Sequence, residues 1–279
     1  KGLFSYTKPN YNNSDKDLTL SVQADETDRL SDFGYKSNDT GFSIGTNFEY
    51  LEDLYFAPNV SINYENLTTS SAASNLLKKQ EGSYFDTDVS YSFFYDQRDQ
   101  VYQPTDGYST SFFQKLPINI DENQTIINGL EYNTYYEYID NQIFSLSLFA
   151  KAANSFGEDD VRISDRLFLP SSKLRGFEAG KVGPIDGEDF VGGNYLSSLN
   201  AQANIPIFQS LETFDFNIFY DAANVWGVDY NSSINESSKI RSSTGLGVDW
   251  FTPIGPMSFS FTQPITKKDT DKTETFRFN

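Results

Sequence analysis

The sequence predicts an all-β fold, a transmembrane antiparallel β-barrel, on three observations. The first is composition: 25 Phe and 18 Tyr bring aromatics to 16% of 279 residues, while all hydrophobic residues together reach only 38%. Many aromatics with few aliphatics suit pleated, half-buried strands better than a helical bundle. The second is period, because stretches of roughly ten residues alternate apolar with polar and are separated by Asn, Asp, Ser, Gly and Pro. The third is connection length, alternately short and long, as for tilted strands that cross a bilayer. A soluble sandwich shares the alternation, but strand number and length favour the barrel. No helix competes: the longest apolar run, Leu54-Tyr55-Phe56-Ala57, has four residues, against ~20 for a membrane helix.

In chain order, a partial strand falls at 3–11, and further strands start near Leu18, Phe42 and Leu54. The link at 51–53 is short and the link at 66–83 long. A strand from Tyr84 ends in Tyr91, Phe93, Phe94 and Tyr95, an aromatic cluster placed as an interfacial girdle requires. Strands from Tyr108 and Thr125 follow, the second ending in Tyr135, Tyr136 and Tyr138. Phe144, Leu146, Leu148, Ala150 and Ala152 then alternate with Ser145, Ser147, Phe149 and Lys151. After a strand from Tyr195, Phe214, Phe216, Ile218, Tyr220 and Ala222 form a lipid face. Thr213, Asp215, Asn217, Phe219 and Asp221 fall on the opposite, lumen face, because side chains alternate with period two. A long link at 229–239 leads to a strand from Ile240 that ends at Trp250 and Phe251. The short link 253–256 turns into Met257, Phe259 and Phe261, alternating with Ser258, Ser260 and Thr262. With a partial strand at each end, the expected number is twelve or thirteen.

The composition also excludes chemistry. There is no Cys and no His, so thiolate nucleophiles, Ser-His-Asp triads and His-ligated metals are ruled out. A net charge of −18 argues against a nucleic-acid partner, whose phosphates would be repelled. Gly176, Gly180 and Lys181 resemble a phosphate loop only superficially, since the spacing is one residue short and Val182 stands where Ser or Thr would hold magnesium. The carboxylates of 269–274 lack the glycine of a calcium loop and read as a hairpin turn. Glu131 and Glu137 share a strand face, but strands offer many such pairs, so they do not mark a glycosidase. No enzyme and no cofactor are expected.

One connection is anomalous. Between Phe156 and Gly192 lie 35 residues without a convincing strand, where structureless loops beyond about 12–15 residues are usually functional or disordered. This one contains Leu167-Phe168-Leu169-Pro170 and Leu174-Arg175-Gly176-Phe177, so part of it should pack against something.

At these residues the chain resembles the BamA-type outer-membrane assembly factors, a family that includes TamA and the two-partner secretion transporters. Its longest loop enters the barrel lumen with a Val/Leu-Arg-Gly-Phe/Tyr motif, here Leu174, Arg175, Gly176 and Phe177. The flanks Asp165-Arg166-Leu167-Phe168 and Lys181-Val182-Gly183-Pro184 are similar as well. Tyr95-Asp96-Gln97-Arg98-Asp99, followed by Pro104-Thr105-Asp106-Gly107, resembles the family's barrel signature. The run from Phe219 to Trp226 resembles the late strand whose Asp, here Asp221, faces the motif arginine. The segment from Gly255 resembles the closing hairpin, with Phe276 and Phe278 in the closing strand. There are two departures: Ala223 replaces a glycine, and Gln202 stands where a carboxylate is often found.

The resemblance covers essentially the whole chain and implies a C-terminal barrel of about sixteen strands behind periplasmic POTRA domains. On that reading 1–279 is a fragment that lacks the POTRA domains and first strands and stops inside the last strand at Asn279, so that its two free edges favour aggregation. The implied function is a non-enzymatic insertase of a Gram-negative outer membrane. A client strand entering lipid unpaired would expose costly polar groups, and a weakly paired seam offers a template for β-augmentation. The implied partners are the lipid bilayer, unfolded outer-membrane clients and, through the POTRA domains, accessory lipoproteins. The alternative is a pore: a two-partner secretion transporter or, further off, a diffusion porin with no need of the Arg175 loop.

Overall fold

The computed structural model describes residues 2–118, 124–140, 142–157, 160–205, 213–252 and 255–278. Among these residues thirteen strands form one antiparallel sheet in near-sequential order. They are β1 (Gly2–Lys8), β2 (Asp17–Arg29), β3 (Tyr35–Leu51), β4 (Leu54–Thr69), β5 (Gly82–Asp96), β6 (Gly107–Pro117), β7 (Gln124–Ile139) and β8 (Gln142–Phe156). After a two-residue hairpin, β9 (Ile185–Asp186) with β10 (Asp189–Phe190), the sheet resumes. Its remaining strands are β11 (Tyr195–Ile205), β12 (Phe214–Trp226), β13 (Arg241–Thr252), β14 (Gly255–Thr266) and β15 (Phe276–Phe278). Among the described residues β1 pairs with β2 alone and β15 with β14 alone.

The sheet is curled, and one residue proves it. The backbone carbonyl of Lys181 accepts from the Lys272 amide at 3.1 Å, and its ammonium lies 3.2 Å from Asp32. Asp32 follows β2 and Lys272 follows β14, ten places further along the sheet. In a flat sheet those positions would be roughly 50 Å apart. A single lysine reaches both, so the strands wrap around the loop that carries it.

The two faces of the wall obey the period. On β12, Ile218 and Tyr220 are 48% and 43% exposed, while Asn217, Phe219 and Asp221 are buried at 2%, 2% and 0%. Ile218, Leu246, Phe261 and Phe276 lie side by side across β12 to β15, an apolar row pointing outward. Arginine in place of Leu148, on the outer face of β8, is therefore expected to cost ~2–4 kcal/mol at mid-bilayer. Asn133→Arg, on the inner face of β7, should cost clearly less. Unfolding from lipid vesicles checks this, and equal losses would contradict the assignment of faces.

Several strands outrun the expected ten residues. β3 has 17 and β4 16, where a tilted span needs about 9–11. β3 begins at Tyr35 rather than near Phe42, and the link expected at 66–83 shrinks to 70–81, which holds the short helix α1 (Asn75–Lys78). Polar residues such as Lys36, Asn38, Asn66 and Thr68 occupy these extensions. Strand that rises above a bilayer has water on its outer face, so the alternation that marks the spanning part fades. The loop expected without strands holds the β9–β10 hairpin, with Gly187 at φ 68 in its turn. Asp186 pairs with Asp189, so the turn is Gly187-Glu188, and glycine first in a two-residue turn is the sequence signal for it. The short link 51–53 narrows to Glu52 and Asp53, whereas residues 253–254 of the link at 253–256 lie outside the described residues, as does Asn279.

Candidate functional site

The loop between β8 and β11 supplies the interior of the barrel. Val161, Leu167, Leu169, Leu174, Phe177 and Val182 form one apolar cluster with Ile127, Ala153, Leu196, Ala223 and Val225 of the wall. The expectation that the apolar stretches of this loop would pack is met here. Burying about 1.5–3 kcal/mol of apolar side chain at each such position is what holds an otherwise irregular segment in place.

Charged anchors tie the loop down where it enters. Arg166 pairs with Asp229 and donates to the Asn194 side-chain oxygen at 2.9 Å. Asp229 also accepts from the Val161 backbone amide and the Asn194 side-chain Nδ2, each at 2.9 Å. Burial pushes the Asp229 carboxyl up, but the Arg166 charge and these donors outweigh it and hold it below the usual carboxylate range. Arg162 reaches Asp86 at 2.6 Å, Asp165 at 3.2 Å and Glu65 at 3.5 Å, and its guanidinium lies over the Tyr84 ring. Asp165 meets Lys115 at 3.5 Å and accepts from the Thr125 hydroxyl at 3.0 Å. Its burial is likewise outweighed, first by Lys115 and then by Arg162, so its carboxyl too is held low.

These depressed carboxylates fix the sign of the pH dependence. A carboxylate depressed in the folded state contributes stability that is present above the ordinary value near 4 and is lost as pH falls through the depressed one. Proteolysis within the loop should therefore stay slow from neutral pH to about pH 4 and accelerate only below it. A rise already between pH 5 and 6, read by mass spectrometry of the fragments, would contradict these anchors.

Deeper in, Arg175 lies against Asp221 on the lumen face of β12. Its Nε and Nη2 each donate to an Asp221 oxygen at 2.8 Å, and its backbone amide donates to the same carboxylate at 3.0 Å. Nη1 donates to Gln202 of β11 at 3.0 Å, and the guanidinium sits 3.5 Å above the Phe219 ring. This is the two-pronged grip that a planar guanidinium allows and an ammonium does not. The Arg175 carbonyl accepts from the Ser243 hydroxyl at 2.6 Å. Gly176 has φ +87, and a Cβ there would come within 2.4 Å of the Thr262 side chain. Leu174 and Phe177 are both 1% exposed.

The motif also pairs with the connection that delivers the last strand. The Glu274 amide donates to Gly176 O at 3.1 Å, the Glu178 amide to Lys272 O at 3.0 Å, and Phe177 bridges Thr273. Arg277 of β15 donates to Phe177 O at 3.2 Å. The docked loop and the final strand are thus mechanically continuous.

The barrel signature lies elsewhere. Asp96 grips Arg98 through two bonds of 2.7 Å, and Asp99 accepts from the Thr105 amide at 3.0 Å and its hydroxyl at 2.7 Å. Gly107 has φ +94, with Gln97 O 2.1 Å from any Cβ, so Pro104 to Gly107 closes a tight clasp between β5 and β6. This clasp is at the strand ends opposite the long loop, and the structure does not bring it to Arg175. Phe276 and Phe278 project outward from β15, each with its ring centroid 5.0 Å from one on β14. Sequence reasoning quoted Arg166 only within a flank of the motif and missed the anchors Arg162, Lys115 and Arg241. Arg162, between Val161 and Ile163 in the long loop, carried an available signal; Lys115 and Arg241, on β6 and β13, carried none. Among the described residues no group of acidic side chains is arranged to hold a metal ion.

A curled antiparallel wall, apolar outside and plugged by its own longest loop, is a transmembrane β-barrel. The chain belongs to the Omp85 superfamily, whose domain model matches residues 1–279. It is 26% identical over 251 residues to the outer membrane protein assembly factor BamA of Neorickettsia risticii, covering 88% of this chain and 34% of that protein. It is 26% identical over 212 residues to the sorting assembly machinery 50 kDa subunit of Saccharomyces cerevisiae, covering 71% of this chain and 43% of that one. The fold superposes on the crystal structure of BamA from Haemophilus ducreyi lacking POTRA domains 1–3, with TM-score 0.88 and 24% identity over 99% of this chain and 60% of that one. The chain thus spans about a third of the length of the first of these relatives.

Proposed function

We propose that this chain is the barrel part of an outer-membrane insertase, which folds client β-barrels by pairing their strands with its own sheet edge. What supports the reading is the docked lumen motif, Arg175 on Asp221, tied through Gly176, Phe177 and Arg277 to the last described strand, β15, in a chain of the Omp85 superfamily. An edge strand presents unpaired amides and carbonyls, and in hydrocarbon each costs several kcal/mol. A client strand that adds to this edge satisfies its own groups and those of the edge together. The wall belongs in a Gram-negative outer membrane and to a larger barrel of about sixteen strands, with POTRA domains and accessory lipoproteins on the periplasmic side. The buried Arg175 motif obstructs the lumen, which stands against a steady diffusion pore.

Reconstitution tests it. Full-length protein in phospholipid vesicles should speed the folding of a urea-unfolded β-barrel client, read by its shift in electrophoretic mobility. Secretion transport predicts instead a polypeptide delivered to the vesicle interior without inserting. That result, or no acceleration, would overturn the reading.

A further inference from the structure

The connection at 267–275, which delivers β15, is held from two sides. On one side the motif loop grips it through Gly176, Phe177 and Glu178. From the other side comes Arg241, the first residue of β13, only 1% exposed. Its Nε and Nη2 donate to the two oxygens of Asp271, each at 3.0 Å. Nη1 donates to the Asn224 side chain at 3.0 Å and to Lys239 O at 2.8 Å, and Nη2 also reaches Glu236 at 3.2 Å. Asp271 accepts from the Lys268 amide at 2.7 Å, and the Lys268 ammonium lies 2.5 Å from Glu236. Two cations meet two carboxylates, and one guanidinium joins β12, the 227–240 connection and 267–275.

A surface hairpin does not need a buried five-donor hub in order to turn. The strand beyond the hairpin, β15, is the part that needs fixing. β15 follows this connection directly, so whatever fixes 267–275 fixes where the last described strand enters the sheet. We propose that Arg241 is a positioning residue for the last strand: with Asp271 it clamps 267–275 to β12 and β13, so that β15 is held at the edge in one register. The inference rests on the reading of that edge as the client's template.

Hydrogen exchange of the full-length protein in vesicles, followed by mass spectrometry, tests this in Arg241→Met, Arg241→Lys and Asp271→Asn. Amides of 267–278 should exchange about tenfold faster in Arg241→Met and Asp271→Asn, while β7 and β8 stay unchanged. Arg241→Lys, which keeps the charge and loses the fork, should fall between. Client insertion should slow in the same order. Uniform acceleration through the barrel, or none at 267–278, overturns the positioning role. Local acceleration with undiminished insertion supports the positioning role and overturns the template reading beneath it. Should Arg241→Met not fold, Arg241→Lys and Asp271→Asn decide the matter by the same criteria.

Discussion

Asp221→Ala is expected to destabilise the docked loop by about 3–5 kcal/mol, the cost of leaving one member of a buried ion pair behind. Asp221 is wholly buried and the Arg175 side chain is 20% exposed, so water cannot take over all that the carboxylate supplied. The loss includes three hydrogen bonds from one residue, two from the guanidinium and one from the backbone. Gln202 receives a single bond and carries no charge, so Gln202→Ala should cost only about 0.5–1.5 kcal/mol. Arg175→Met alone should resemble Asp221→Ala, and the double variant should cost much less than the sum of the two. A double-mutant cycle in the full-length protein, read by denaturant unfolding, checks this. Additive losses would mean that the two residues do not act together.

Arg162→Met should be comparably severe, at about 3–5 kcal/mol, for a related reason. The Arg162 side chain is 3% exposed and faces Glu65, Asp86 and Asp165. Without it, three poorly hydrated carboxylates repel one another, and Lys115, 3.5 Å from Asp165, offsets only part of that. Among the described residues its Nε and Nη1 have no hydrogen-bond partner and only Nη2 donates, to Asp86 and Asp165, so charge rather than bond count is the larger part of what it contributes. Removing a facing charge as well should therefore recover part of the loss. Arg162→Met with Asp165→Asn is expected to unfold at higher denaturant than Arg162→Met alone. No recovery would show that the site is held by shape and not by charge.

Much of the wall was legible because a bilayer enforces a strict code. Where lipid touches one face and the lumen the other, as at Phe214 to Ala222, the period shows without any other information. Asp221 was placed on the lumen face in that way, and it stands there fully buried. The code weakens wherever the two faces share a medium. Residues 35–41 of β3 and 66–69 of β4 are mostly polar and lack the alternation, so their strand character was not visible. It fails in the lumen loop, whose order comes from contacts distant in sequence. Arg162 meets Glu65 and Asp86, 97 and 76 residues away, and no local pattern announces such partners. Arg241 was hidden for the same reason, since Asp271 lies thirty residues on and across a hairpin. The Arg-Gly pair of the motif was visible only through resemblance. What the geometry adds is its continuity with the last strand, through Gly176, Phe177 and Arg277.

The edge itself offers the most direct test. The 279 residues contain no cysteine, so single cysteines at Phe276, Arg277 and Phe278 report contacts without background from this part of the chain. A client stalled during assembly, with cysteines stepped along one of its edge strands, is cross-linked under mild oxidation. Strand addition predicts disulfides from Phe276→Cys and Phe278→Cys to client positions two residues apart, in one antiparallel register. Cross-links from lumen positions such as Asn133→Cys, with none from β15, would contradict templated pairing at this edge.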